Sequence, residues 1–150
     1  CPTLNSGMFT FQGKRYAEIY GEKRAKYFIA LRSMLDAGMK PAIASDSPSG
    51  PMGLSVIDGA VNRYDYKAGF QFDKTQAISL LEAIRCATLN GAYASYEDDI
   101  KGSIEVGKLA DMIVLDRDIL SIDTMDIKDV RVDMTMIDGE TCYEREGKEW

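Results

Sequence analysis

The apolar residues follow a helical spacing in the first two thirds of the chain and a strand-like alternation in the last third. Within residues 22–37 the apolar positions recur at i, i+3, i+6 and i+7, namely Phe28, Leu31, Met34 and Leu35. This spacing predicts a helix with one apolar face, and Gly38 then stands where helices commonly end in the left-handed conformation. Residues 1–20 show no clear period, and we expect them to be irregular.

A short apolar stretch at residues 40–45 predicts a buried strand. It ends at Asp46, which is followed by the turn-forming residues 47–51. In α/β barrels and open α/β sheets, functional groups lie just beyond the carboxyl ends of the strands. Asp46 is therefore the main candidate for chemistry, although on local spacing alone an Asx-turn or a helix N-cap is the commoner role for such an aspartate.

Two further helices are predicted from their first residues. Ser55, with an aspartate three residues later, resembles a capping box and would begin a helix over residues 55–66. Ser79, with a glutamate three residues later, has the usual capping-box pattern. The helix behind it would cover residues 79–96, with Leu81 on its apolar side.

After residue 99 the pattern changes from helices to strands. Residues 110–116 form one apolar strand, and residues 130–137 alternate with a period of two. Asp138-Gly139 is the signature of a type I′ hairpin turn, so residues 141–143 are the predicted return strand. The fold class is therefore α/β, with antiparallel strands in the last third.

The distribution of charge and the length of the apolar runs argue against nucleic acids and membranes as partners. The net charge is −6 and the acids and bases are interspersed, whereas nucleic-acid binders cluster Lys and Arg on one face. An anionic membrane surface needs a similar basic patch, and no apolar run approaches the roughly 20 residues that span a bilayer. Neither a nucleic acid nor a membrane is expected as a partner.

Cysteine and histidine usage limits the chemistry. The three cysteines are far apart and form no C-x-x-C motif, which is typical of a reduced, cytoplasmic protein. We expect Cys86 and Cys142 to be small core residues. A reactive thiol has little support, because the sequence has 0 histidines to pair with it. The same absence excludes a Ser-His-Asp triad and a His-rich zinc site built from these residues alone.

The run from Gly102 to Lys108 has the G-x-x-x-x-G-K spacing of a phosphate-binding loop. Leu109 stands where Ser or Thr would ligate magnesium, and a strand follows in place of a helix. We interpret the run as a turn between short strands. Arg63, Tyr64 and the acidic residues 97–99 are interpreted as solvated surface.

Several motifs resemble the amidohydrolase superfamily. Residues 32–38 (RSMLDAG) and 44–48 (ASDSP) resemble the segment around its last barrel strand, and residues 101–116 follow the pattern G-S-I-x-x-G-K-x-A-D-x-x-V-L-D. Residues 60–63 (AVNR) and 79–96 are similar to the amidohydrolase-3 branch, which includes deformylases acting on N-substituted formamides. The resemblance covers almost all of the chain from residue 21 onward.

This resemblance implies a fold and an activity. Residues 1–99 would be the C-terminal portion of a (β/α)8 TIM barrel, with its last strand and helix, and residues 100–150 the C-terminal portion of a small β-sandwich. The intact enzyme would use zinc to hydrolyse a C–N bond in an amide or formamide-like small molecule. Asp46 would be its eighth-strand metal ligand and its general base.

The resemblance also implies that catalysis needs more than this chain. The family's other metal ligands, an H-x-H pair, two further histidines and often a carboxylated lysine, would lie upstream. We therefore expect this chain to be an inactive fragment that holds no zinc and packs against the missing N-terminal part of the same protein. The start Cys-Pro-Thr-Leu, without Met, favours lost upstream residues over ordinary processing of a complete protein.

A non-catalytic, self-associating assembly module is the alternative from a different class. A barrel cut before its eighth strand would leave residues 42–44 without neighbouring strands. Exposed apolar edges of this kind tend to pair with another copy, so we expect a homo-oligomer, or packing against the rest of the same chain.

Overall fold

Strands and helices alternate through the first two thirds of the chain in the computed structural model, which describes residues 1–47 and 53–147. In chain order they are β1 (Thr3–Leu4), α1 (Phe9–Tyr20), α2 (Glu22–Ala25), α3 (Leu31–Asp36), β2 (Ala42–Ile43), α4 (Ser55–Asn62), β3 (Tyr64–Asp65), β4 (Phe70–Gln71), α5 (Leu80–Ala87) and α6 (Leu89–Ala94). The last third holds β5 (Met112–Leu115), β6 (Val132–Ile137) and β7 (Glu140–Glu144). Short 3-10 helices cover Ser6–Met8, Lys74–Gln76 and Thr124–Asp129. No helix in these ranges is both long and apolar enough to cross a membrane.

The first 20 residues are ordered structure, so the expectation that they are irregular is wrong. The buried side of α1 consists of Phe9, Thr10, Gly13 and Ala17. Three of these four residues are small or polar, so this side of the helix gives only a weak hydropathy signal although it packs closely. β1 pairs in parallel with β2, so the expectation that residues 42–44 lack a neighbouring strand is also wrong.

The helix predicted over residues 22–37 is two helices, α2 and α3. Ile29 lies between them with a φ of +55°, and this left-handed residue ends any continuous helix. The break follows from packing: Phe28 stacks on Tyr16 at 4.5 Å between ring centroids, whereas Leu31 belongs to the larger core cluster. The chain has to turn so that the two side chains can reach different clusters.

The end of α3 matches its prediction. Gly38 has a φ of +74°, and its N–H donates to the carbonyl of Leu35 at 2.9 Å while the N–H of Met39 donates to that of Met34 at 3.0 Å. This pair of bonds is the Schellman motif, which satisfies the last carbonyls of a helix.

One of the two predicted capping boxes is confirmed. Ser79 and Glu82 each accept a bond from the other's backbone N–H at the start of α5. The box at Ser55 is wrong, because Ser55 is the first helical residue and the preceding Leu54 makes no side-chain cap. α4 also ends earlier than predicted, because Arg63 is left-handed at φ +47° and a short β3–β4 hairpin follows.

The helix predicted over residues 79–96 is broken at Thr88, whose φ and ψ are −118° and −88°, into α5 and α6. Its predicted apolar side is correct only in part: Leu81 is 66% exposed, whereas Ile84 and Ala92, which the prediction places on the same side, are partly buried and buried, respectively. Ala83 and Cys86 form the buried side of α5. Small residues allow the helix to approach the core closely, so the buried side is not the most hydrophobic one.

The last third is an antiparallel sheet in the order β5-β6-β7, as predicted. Asp138 and Gly139 have φ values of 50° and 81°, the two positive values that a type I′ turn requires. Cys142 is exposed on β7, so its expected core position is wrong, whereas Cys86 is buried as expected. Ile127 and Val130, between β5 and β6, join the core cluster that contains Leu31.

The backbone of α4 approaches another segment closely at Gly59. A Cβ added there would lie 2.0 Å from the carbonyl oxygen of Ser6. We therefore expect Gly59→Ala to lower the free energy of unfolding by about 2–3 kcal/mol, because the helix must shift to relieve the overlap. Gly91, in α6, has open space at its Cβ position, so Gly91→Ala is the matched control and should be neutral or slightly stabilising. Urea denaturation of the two variants measures this, and equal midpoints would contradict the close approach.

Candidate active site

The two parallel strands β1 and β2 bring two chain segments to one edge. Thr3 lies opposite Ala42 and Leu4 opposite Ile43, and the N–H of Ala44 donates to the carbonyl of Leu4 at 2.9 Å. Because the carboxyl ends of parallel strands lie at the same edge, residues 5–7 leave β1 beside residues 44–46, which leave β2. We call this edge, formed by residues 5–7 and 44–46, the carboxyl edge.

The strand that leads to Asp46 is held firmly. Ala42 and Ile43 are both buried, and Ile43 belongs to the larger core cluster. From α6, the side-chain amide of Asn90 donates from Nδ2 to the carbonyl of Pro41 at 2.8 Å. Asp46 therefore projects three residues beyond the end of a strand that is fixed on both sides.

Asp46 is exposed at the carboxyl edge and has a φ of +55°. Aspartate is one of the few residues other than glycine that adopts this left-handed region readily. Its carboxylate accepts no hydrogen bond from the residues that the structure describes. The usual Asx-turn bond is also excluded, because the residue two positions later is Pro48, which has no N–H. The predicted turn residues 48–51 lie outside the described part of the chain.

Asn5 is the polar residue that follows β1 at the same edge, and the sequence interpretation missed it by treating residues 1–20 as irregular. It precedes the 3-10 helix Ser6–Met8 but makes no side-chain capping bond to it. Its Oδ1 atom is shielded from solvent and has no hydrogen-bond partner in the described part of the chain. A polar residue directly after the apolar Leu4, the same pattern as at Asp46, is the signal that could have identified it.

Residues behind the carboxyl edge tie it to α4. The hydroxyl of Ser6 is fully buried and donates to the carbonyl of Val56 at 2.6 Å. In α4, Asp58 is 1% exposed, and its Oδ1 accepts from the Asn62 amide at 2.7 Å and from the Tyr66 hydroxyl at 3.0 Å. Burial raises the pKa of Asp58 above its usual range. These buried groups bind one another and support the edge structurally.

Arg63 is buried, so its interpretation as solvated surface is wrong. It is 1% exposed, and its guanidinium lies 4.1 Å from the centroid of the Phe9 ring and 5.0 Å from that of Phe72. Its N–H groups donate to four backbone carbonyls at 2.7–3.2 Å, those of Lys26, Phe28, Ile29 and Asp73. Desolvation lowers the pKa of Arg63 to about 10. The side chain holds segments of the fold together and faces no open site.

The loop-like run from Gly102 to Lys108 has the geometry of a turn. The ammonium of Lys108 donates to the carbonyl of Asp98 at 2.6 Å and to the hydroxyl of Ser103 at 2.7 Å. The strand β5 follows it, so a helix does not begin directly after the loop and the interpretation as a turn is supported. Its expected position between two short strands is wrong, because the element before it is the helix α6.

No metal site is complete within the described ranges 1–47 and 53–147. They contain no group of three or more His, Cys, Asp or Glu side chains that could hold a metal ion. A catalytic zinc ion takes three protein ligands, and Asp46 supplies one carboxylate. The residues present do not fit a zinc ion by themselves.

Comparison with known proteins identifies the family. The model of the Amidohydrolase family, in its amidohydrolase-3 branch, matches residues 5–143. The chain therefore belongs to the amidohydrolase family, which confirms the resemblance seen in its motifs.

Similar proteins agree with this membership. The chain is 38% identical over 117 residues to the N-substituted formamide deformylase of Arthrobacter pascens, covering 78% of this chain and 22% of that protein. It is 34% identical over 96 residues to a 5-methylthioadenosine/S-adenosylhomocysteine deaminase of Thermoanaerobacter pseudethanolicus, covering 64% of this chain and 22% of that protein. Among solved structures, an uncharacterised metal-dependent hydrolase from Pyrococcus horikoshii has the same fold over 82% of this chain and 25% of its own, with a TM-score of 0.64 and 24% identity. The chain thus spans about a quarter of the length of the proteins it matches.

Proposed function

We propose that this chain is the C-terminal portion of a metal-dependent amidohydrolase that hydrolyses a C–N bond in an amide or formamide-like small molecule. The observation that carries the proposal is the position of Asp46. It lies at the carboxyl edge of a buried parallel strand, inside the segment that matches the family, and has no local structural partner among the described residues. Residues 1–99 would then complete a TIM barrel and residues 100–150 a β-sandwich.

The role we propose for Asp46 is that of a proton acceptor. An exposed carboxylate can take a proton from an attacking water and pass it to the leaving nitrogen. A divalent metal, zinc in our proposal, would supply a water of lowered pKa as the nucleophile. Since the sequence has 0 histidines, the remaining ligands would come from outside this chain.

The substrate class rests on the relatives. The N-substituted formamide deformylase is 38% identical to this chain over 117 residues, and the deaminase is 34% identical over 96 residues. Both names describe cleavage of a bond between carbon and nitrogen. We propose a formamide-like substrate because the deformylase match has the higher identity and covers more of the chain.

A non-catalytic, self-associating module remains the second candidate because of the free edge of the sheet. Every residue of β7 is exposed, and β7 pairs only with β6 among the described strands. Exposed strand edges can pair with another copy. A homo-oligomer, or packing against the rest of the same protein, would cover this edge.

An activity assay and a zinc determination together separate the two proposals. The complete protein should hydrolyse a simple N-substituted formamide, lose that activity on dialysis against a chelator and regain it with added zinc. Elemental analysis should find zinc in the complete protein and substoichiometric zinc in the 150-residue chain, because one carboxylate is too few ligands. Absence of turnover by the zinc-loaded complete protein would contradict the enzymatic proposal, and tightly held zinc in the short chain would contradict the need for outside ligands.

A further inference from the structure

Asn5 leaves β1 at the same edge at which Asp46 leaves β2. Leu4, the residue before Asn5, lies opposite Ile43 in the parallel pair. Neighbouring strands of a sheet are about 4.8 Å apart. Asn5 and Asp46 therefore occupy adjacent strand ends on the edge where α/β barrels place their functional groups.

The side chain of Asn5 makes no hydrogen bond to residues 1–47 or 53–147. An asparagine directly before a helix usually caps it, but Asn5 makes no side-chain bond to the 3-10 helix Ser6–Met8. Its Oδ1 is buried without a partner, and its Nδ2 donates to none of the described residues. Because Asn5 as a whole is only half-buried, the Nδ2 end of the amide is the end that solvent can reach.

Asn90 differs from Asn5, because its side-chain amide has a hydrogen-bond partner within the fold. Asn90 is buried, and its Nδ2 donates to the Pro41 carbonyl at 2.8 Å. A buried amide oxygen that lacks a partner destabilises a fold. Such a group in a native structure requires an explanation, and a functional role is one of them.

We propose that Asn5 is a substrate-contacting residue whose Nδ2 donates a hydrogen bond to the carbonyl oxygen of the amide or formamide group. The proposal rests on the proposed hydrolase function and assigns a second residue to the same site. Asn5 is a neutral donor and Asp46 is a charged acceptor, so the two can bind different atoms of one substrate. Donors aimed at an oxygen that gains negative charge lower the barrier to acyl transfer.

The test compares Asn5→Leu with Asn90→Leu in the complete protein, because leucine has the same branching and number of non-hydrogen side-chain atoms as asparagine and no donor. Asn5→Leu should lower kcat/KM by about tenfold or more, mainly through kcat. Its melting temperature should stay the same or rise, because an unpartnered polar group has been removed. Asn90→Leu should lower the melting temperature, because the Pro41 carbonyl loses its donor.

The outcomes separate this proposal from the one on which it rests. If wild-type protein hydrolyses formamides and Asp46→Asn does not, full activity in Asn5→Leu would overturn the role of Asn5 alone. A fall in melting temperature as large as that of Asn90→Leu would also overturn it, because it would show a structural asparagine. A wild-type protein without any hydrolytic activity would overturn both proposals.

Discussion

Replacing Arg63 with methionine should lower the free energy of unfolding by about 3–5 kcal/mol, because each hydrogen bond to a charged group contributes about 1.5–3 kcal/mol and relaxation recovers part of the loss. The guanidinium donates to four backbone carbonyls at 2.7–3.2 Å, and methionine donates to none of them. Each carbonyl left buried without a donor costs about 1–3 kcal/mol before the structure relaxes. Methionine keeps most of the apolar contact with Phe9 and Phe72, so the loss reports on the hydrogen bonds.

Two further variants make the Arg63 experiment specific. Arg63→Lys should also destabilise the protein, because one ammonium cannot replace the planar fork of donors. Arg117→Met is the matched control: Arg117 is exposed and pairs with Asp116 at 3.0 Å, and loss of a surface pair usually changes stability by less than about 1 kcal/mol. Urea denaturation of the three variants gives the comparison. Equal midpoints for Arg63→Met and Arg117→Met would show that the buried network does not stabilise the fold.

The parts of the fold that the sequence predicted correctly are those determined by neighbouring residues. The capping box at Ser79, the left-handed helix end at Gly38 and the hairpin at Asp138-Gly139 each depend on a few consecutive residues and on backbone geometry. Such signals act through local hydrogen bonds, so they are visible without knowledge of the rest of the molecule.

The parts that were missed depend on contacts distant in sequence. Arg63 has a charged side chain, and the carbonyls of residues 26, 28, 29 and 73, together with two phenylalanine rings, make its burial favourable. The hydropathy pattern gives no signal at Gly59. Because this residue has no side chain, the backbone of Ser6 can approach α4 closely. The breaks at Ile29 and Thr88 divide helices that a periodic pattern predicts as continuous. At Ile29 the cause is packing, which directs Phe28 and Leu31 to different clusters.

The candidate site was predicted in part. Asp46 was identified because an acidic residue follows an apolar run, and the structure places it at the carboxyl edge beside β1. Asn5 follows an apolar residue in the same way, but the run before it is too short to be recognised as a strand. The short run is recognisable as a strand only because β1 pairs with β2, and this pairing is not visible in the sequence.

Substitution of Asp46 by asparagine has the largest expected effect on activity. Asparagine keeps the size of the side chain and tolerates the left-handed backbone at φ +55°, so the fold should be unchanged. The carboxylate that we propose as the proton acceptor is lost, and removal of a general base typically lowers the rate roughly a hundredfold or more. Asp138→Asn is the matched control, because Asp138 is also exposed and left-handed, at φ +50°, and Asn-Gly is equally suited to its hairpin turn.

The most direct measurement is kcat of the complete protein on an N-substituted formamide, for wild type, Asp46→Asn and Asp138→Asn, with melting temperatures recorded for all three. The proposed function predicts a roughly hundredfold or greater loss of kcat in Asp46→Asn alone, with the three melting temperatures close together. Near wild-type kcat in Asp46→Asn would contradict it and would return Asp46 to a structural role at the end of β2.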